Sequence, residues 1–238
     1  MDIKSRTFWL PKDGNTTDEY EDAFAPLHDT NGDFEHFRCA VADGATEASF
    51  AKLWAELLVQ GYVQQQDIEE SRRQWHAALP IEQVPWFVEE KLASGAFATL
   101  AGLSLFNDGR WDATAAGDSC IFQISEMKIA AAFPLSQSDQ FDNTPFLLSS
   151  NATESARAQL KTRQGTWSPG DTFFLLTDAA ARWLLKREED CSNGLEILLS
   201  LQNQDQFLSF VKLERLAQGD DGRPRLRNDD LTVMAVCL

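Results

Sequence analysis

From Gly95 the chain runs GAFATLAGLSLF, turns at NDGR and continues WDATAAGDSCIFQI. Two apolar runs around an Asn-Asp-Gly turn form the pattern of a β-hairpin, and KIAAAF at 128–133 extends it into a meander. Strands joined this closely pair antiparallel, because a parallel pair needs a long crossover between its members. Elsewhere FRCAVAD (37–43) reads as a buried strand, SPGDTFFLLTD (168–178) as a turn and a strand, and DDLTVMAVCL (229–238) as a final strand. Phe50, Leu53, Trp54, Leu57, Leu58 and Tyr62 recur on one face of a helix that starts at about Ser49. IEQVPWFVEEKLA (81–93) carries a second helix in part, with Pro85 near its first turn. AAARWLLKRE (179–188) is a helix with its basic end C-terminal, and DQFLSFVKLERLAQ (205–218) is another. Helices therefore come in blocks between runs of strands, which predicts an antiparallel α+β architecture rather than a doubly wound one. No repeat or low-complexity linker divides the chain, so a single domain over residues 1–238 is expected.

Composition removes several classes of function. With 37 acidic and 21 basic residues the formal charge is −16, the wrong sign for gripping a phosphate backbone, so no nucleic-acid partner is expected. The four cysteines, at 39, 120, 191 and 237, have no C-x-x-C spacing, which argues against zinc, iron–sulfur and a secreted disulfide framework. The first residues, MDIKSRTFWLPKDG, lack an apolar leader core, and no run of membrane-spanning length occurs. A cytoplasmic protein without a membrane partner is expected. The three histidines, 28, 36 and 76, all lie in the first third, and no G-x-S-x-G elbow, phosphate-binding loop or dinucleotide fingerprint is present. DTNGDFEHFRCA, from Asp29, begins like a calcium loop but has Phe34 and Ala40 where Gly and Glu are required, and reads as a turn.

What remains is a set of carboxylates at strand ends. Asp43 ends FRCAVAD, Asp118 lies in AAGDSC, Asp178 ends FFLLTD, Asp229 and Asp230 open the last strand, and Glu21 and Asp22 lie in DEYEDAF. One acid after a strand is usually a cap or a turn residue. Several that converge at one sheet edge repel one another unless cations neutralise them. Oxygen ligands without His or Cys select hard cations, Mg²⁺ or Mn²⁺, and two such ions suit in-line attack of water on a phosphoryl group.

In order and wording, EDAF, VADGAT, GAFATL, AAGDSC, PGDTFFLLTD and NDDLTVMAV resemble the PP2C-type (PPM) metal-dependent protein serine/threonine phosphatases, over residues 19 to 236. That resemblance implies a sandwich of two antiparallel β-sheets flanked by α-helices, and hydrolysis of phospho-Ser/Thr by a metal-bridging hydroxide with no covalent intermediate. Position by position it implies that Asp43 bridges two ions, with the Gly44 carbonyl and Glu21 serving the second. Asp178 and Asp229 would hold the first, Asp22 would support the second ion's water shell, and Asp118 would help bind a third, weaker ion. The implied partner is a phosphorylated protein, a Ser/Thr kinase or its target, and a monomer is expected.

The chain departs from the family pattern at four of these places. Thr17 stands where many members carry a phosphate-gripping Arg, which leaves Lys12 or Arg6 as substitutes. Ala179 replaces Gly, Cys120 replaces an Arg after GDS, and Asp230 replaces a common Asn. Thr17 favours an alternative reading, a catalytically silent PP2C-like module that binds a phosphoprotein or kinase. Retention of Glu21, Asp43, Asp178 and Asp229 favours the enzyme. A third reading takes the acids as separate caps in an unrelated α+β fold.

Overall fold

The computed structural model describes residues 1–45, 50–79, 95–141, 145–151, 160–219 and 221–238. The expected 81–93 helix and the start of the first helix at Ser49 lie outside them. Thirteen strands are present among the described residues: β1 (Asp2–Leu10), β2 (Ala23–Ala25), β3 (Thr30–Asp33), β4 (His36–Ala42), β5 (Phe97–Ala98), β6 (Leu100–Phe106), β7 (Arg110–Ala116), β8 (Cys120–Ser125), β9 (Lys128–Phe133), β10 (Leu148–Ser149), β11 (Lys161–Thr166), β12 (Thr172–Leu176) and β13 (Leu231–Cys237). Helices α1 (Ala51–Val63), α2 (Ile68–Ala78), α3 (Asp178–Glu189), α4 (Gly194–Ser200) and α5 (Gln204–Leu216) complete the regular structure.

Two antiparallel sheets stack face to face, ordered β3-β1-β13-β12-β8-β9 and β11-β7-β6-β4-β2, with β10 and β5 as a separate short pair. The period-two alternation of a strand decides which layer each side chain enters. On β12, Phe173 and Leu175 join Met234, Val236, Val41, Leu103 and Leu105 between the sheets. Phe174 and Leu176 point the other way and pack with Trp183, Leu184, Leu198, Phe207 and Val211 of α3–α5. The second sheet is covered likewise: Ala40 and Ala42 meet Trp54, Leu58 and Val59 of α1 and Trp75 of α2. A strand buried on both faces must be apolar throughout, which is why FFLL and VMAV read as unbroken runs. The result is the antiparallel α+β architecture that the strand pattern predicts, in the helix-flanked sandwich of two sheets that the resemblance implies.

Two local expectations change. WDATAAGDSCIFQI is not one hairpin arm: β7 belongs to one sheet and β8 to the other. The break is Gly117, whose φ of +83° suits glycine, and a Cβ there would lie 2.7 Å from Thr99 Cγ2. Residues from Thr30 to Asp33 form the edge strand β3 against β1 instead of a turn.

Candidate metal centre

Strand register brings the acids to one rim of the sandwich. Ala23 pairs with Ala42, so one step further Asp22 stands level with Asp43. Leu176 pairs with Cys120, so two steps further Asp178 stands level with Asp118. Leu176 also pairs with Val233, which carries Asp229 and Asp230, just before β13, to the same end. Asp43 leaves the second sheet and Asp178 and Asp229 the first, with Asp118 at the crossover between them. The rim is a seam between sheets.

Each acid is held by a particular contact. The Asp43 N–H donates to Thr99 Oγ1 at 2.8 Å, and the Asp43 carbonyl accepts the Thr99 N–H at 2.8 Å. Thr99 Oγ1 in turn lies 2.6 Å from Ser119 Oγ, so one hydroxyl ties the end of β4 to the crossover that carries Asp118. A Cβ on Gly44 would come within 2.8 Å of the Glu21 carbonyl oxygen and 3.0 Å of the Ala51 carbonyl carbon. Only glycine lets these three backbone segments close together. Asp178 opens α3 and accepts the Ala179 N–H through Oδ1 at 2.5 Å, where the helix N-terminus favours negative charge. That bond uses the backbone, so Ala in place of Gly at 179 leaves it available. Asp229 Oδ1 accepts the Asp230 N–H at 3.1 Å, and its carbonyl accepts from Arg215 at 2.7 Å.

Asp230 is buried, and its carboxylate faces the backbone: Oδ2 accepts the Glu21 N–H at 2.7 Å and Oδ1 the Lys12 N–H at 2.8 Å. Asp22, also buried, accepts from Thr232 through Oδ2 at 2.7 Å, and Thr232 also contacts the Tyr20 hydroxyl. Its Oδ1 is buried with no hydrogen bond of ordinary geometry.

Asp43, Gly44, Ala45, Thr99, Asp118, Pro145, Leu147, Asp178, Arg227 and Asp229 line a cleft of about 260 Å³. Desolvation pushes the Asp43 carboxyl well above the usual carboxylate range, and Asp22, Asp178, Asp118 and Asp229 push it further. Desolvation raises Asp22 in the same way, with Asp230 and Asp178 adding to it against the Thr232 and Thr177 hydroxyls. Asp178 is raised by desolvation and by Asp229, with Arg227 opposing. Carboxylates that disfavour one another's ionised form in this way are poised to take up cations. Burial drives the Cys120 thiol up as well, so no activated thiol stands here.

Arg6 and Lys12 are not among the cleft-lining residues. Arg6 donates to Gln202 Oε1 at 2.7 Å and reaches the Leu201 carbonyl at 3.5 Å. Thr17 sits in an exposed 3-10 turn, Thr17–Glu19. Among the described residues that line the cleft the cation is Arg227, which sequence reasoning missed. Its Nη2 contacts Asp178 Oδ2 and lies 2.6 Å from Asp229 Oδ2. The available signal was its place two residues before Asp229, within reach of a long Arg side chain.

Among the described residues no group of three or more His, Cys, Asp or Glu side chains stands ready to enclose an ion. The donor chemistry nevertheless fits a hard divalent cation. It is all oxygen, its carboxylates repel one another, and Asp22 Oδ1 is buried with no hydrogen bond of ordinary geometry among the described residues.

Known structures agree in architecture. The serine/threonine phosphatase PstP/Ppp of Mycobacterium tuberculosis superimposes with a TM-score of 0.64 at 13% identity, covering 100% of this chain and 99% of that one. The photosystem II phosphatase PBCP gives 0.61 at 15% identity, covering 99% and 98%. RsbX in complex with magnesium gives 0.54 at 20% identity, covering 99% and 94%, and the PstP catalytic domain with two manganese ions gives 0.53 at 13%, covering 99% and 98%. Identities this low speak for the fold alone. Among curated proteins none matches the chain. The family model for protein phosphatase 2C matches residues 17–218. That span is most of the chain and holds Glu21, Asp22, Asp43, Asp118 and Asp178, so the chain belongs to the protein phosphatase 2C family.

Proposed function

We propose that the chain is a Mg²⁺- or Mn²⁺-dependent protein phosphatase that hydrolyses phospho-Ser/Thr. The observation that carries this reading is the position of Asp43, whose carboxyl feels four other acids drawn from both sheets. Asp178 and Asp229 would hold one ion, Asp43 would reach both, and Glu21 with the Gly44 carbonyl would hold the second. Asp22 would orient that ion's water shell through its buried Oδ1, and Asp118 would help bind a third. When bound, the ions lower the pKa of a water and neutralise the phosphoryl group under attack. The protein's own residues fix that arrangement: Thr99 and Ser119 set the spacing of Asp43 from Asp118, and Asp230 sets the backbone of Glu21. The manganese in PstP and the magnesium in RsbX support the choice of ion.

The reading extends to one phosphatase domain over residues 1–238, since the sandwich runs from Asp2 to Cys237. It takes as partner a phosphorylated protein, a Ser/Thr kinase or its target, met by a monomer in the cytoplasm and without nucleic acid or membrane. Among the described residues no helix is long and apolar enough to cross a membrane, and all four cysteines are free thiols, which suits a reducing compartment.

A silent binding module is the second reading, favoured by the exposed Thr17 and by the engagement of Arg6 with Gln202. Hydrolysis of p-nitrophenyl phosphate by the purified protein with Mn²⁺ separates the two. Turnover that EDTA abolishes is expected, and metal-bound protein without turnover would leave the module.

A further inference from the structure

Arg227 meets the acid pair in a way that an ordinary surface ion pair does not. A single nitrogen, Nη2, lies between Asp178 Oδ2 and Asp229 Oδ2. Each carboxylate has already committed its other oxygen to a backbone N–H: Asp178 Oδ1 to Ala179 and Asp229 Oδ1 to Asp230. The oxygens not engaged by the backbone are the two Oδ2 atoms, and the guanidinium holds both. A metal ion and Nη2 cannot share that point, because two positive charges a few ångströms apart repel and each needs the same lone pairs.

The backbone on either side of Arg227 is anchored, while its side chain, apart from the two carboxylates, lies half in solvent. Leu226 is buried and its N–H donates to the Glu214 carbonyl at 3.2 Å; the Arg225 N–H donates to the Ala217 carbonyl at 2.9 Å. On the other side Asn228 Oδ1 accepts the Asp13 N–H at 2.7 Å. The Arg227 side chain, by contrast, is 46% exposed. Its long stem can turn about a fixed backbone without leaving the cleft. Among the described residues lining the cleft it is the one cation, and a planar guanidinium matches phosphate oxygens in geometry as well as charge.

We propose that Arg227 is an exchangeable cation: it holds the Asp178–Asp229 pair until a metal ion displaces it, and the freed guanidinium then binds the substrate's phosphate. This rests on the phosphatase reading above and deepens it, placing in the last third of the chain the phosphate contact that Thr17 does not make. The two halves predict effects of opposite sign from one substitution.

The test is calorimetric titration of Mn²⁺ into metal-free protein, then of inorganic phosphate into the Mn²⁺-loaded protein, for the natural chain, Arg227→Gln and Arg227→Lys. Arg227→Gln should bind Mn²⁺ about tenfold more tightly, the scale of losing a charge-assisted competitor. It should bind phosphate about tenfold more weakly. Arg227→Lys keeps the charge without the fork and should change both in the same directions by less. Unchanged or weaker Mn²⁺ binding in Arg227→Gln overturns the exchange, and unchanged phosphate binding overturns the second half. If the natural chain binds no Mn²⁺, the phosphatase reading falls and takes the exchange with it. Mn²⁺ binding without any gain in the variant removes Arg227 alone.

Discussion

Asp230 Oδ2 accepts the backbone N–H of Glu21 at 2.7 Å, joining residues 209 positions apart. Its other oxygen accepts the Lys12 N–H, so one carboxylate organises two loops at the rim. Asn has only one acceptor oxygen and would turn an amide N–H₂ toward the other donor. Asp230→Asn is therefore expected to cost about 1–3 kcal/mol of folding stability and to weaken Mn²⁺ binding by loosening Glu21. Urea unfolding and a Mn²⁺ titration check both, and unchanged values in both would remove Asp230 from the support of the site.

Asp43→Asn separates function from stability. Desolvation and four neighbouring acids make an ionised Asp43 unfavourable in the metal-free protein. A neutral amide removes that repulsion, so the metal-free variant should melt above the natural chain at pH 8. Turnover of p-nitrophenyl phosphate should fall to background. A variant as active as the natural chain would sink the metal assignment.

The raised carboxyls fix the sign of a pH effect. Asp22, Asp43 and Asp178 have folded-state values above the unfolded value of about 3.9. The folded chain thus binds more protons than the unfolded one over the interval between the two. The stability these groups contribute is complete below the unfolded value and is lost as pH rises through the folded values. Chelated protein is expected to lose Tm as pH rises from about 4 toward neutrality. Added Mn²⁺ should raise Tm more at pH 8 than at pH 5, because it replaces those protons. A larger metal effect at pH 5, seen by scanning calorimetry, would contradict this account.

Gly44→Ala tests the closeness of three backbone segments. A Cβ would sit 2.8 Å from the Glu21 carbonyl oxygen and 3.0–3.1 Å from the Ala51 backbone carbonyl, and neither is a flexible side-chain end. A loss of about 1–3 kcal/mol is expected from the overpacking, with weaker Mn²⁺ binding as Glu21 is pushed aside. Chemical denaturation with a metal titration would show both.

How much of this was legible depended on how apolar each element had to be. The strands β4, β6, β12 and β13 and the helices α1, α3 and α5 bury enough apolar surface to impose a period on the sequence. Edge strand β11, KTRQGT, is exposed at five of its six positions, and its place is set by ladder bonds to β7, which leave no hydrophobic trace. Helix α2, IEESRRQWHAA, buries only Ser71, Arg72 and Trp75, too few apolar residues for a stripe. The acids stood out because each interrupts or ends an apolar run. Arg227 did not, since its partner Asp178 is 49 residues away and an Arg in a polar loop looks like any solvated charge. The tie from Asp43 through Thr99 to Ser119 was hidden for the same reason: hydroxyls carry no pattern until the strands are in register.

The seam position of the acids has a mechanical consequence. Asp43 stands at the end of one sheet, Asp178 and Asp229 at the end of the other, and Asp118 in the connection from β7 to β8 that joins them. An ion shared among them would act as a rivet through the rim of the sandwich, pinning two layers that otherwise adhere through side-chain contact. Chelation would then loosen the joint as well as stop the chemistry, and amide exchange near Thr99, Ser119 and Thr177 should quicken while the buried middle of β12 stays protected.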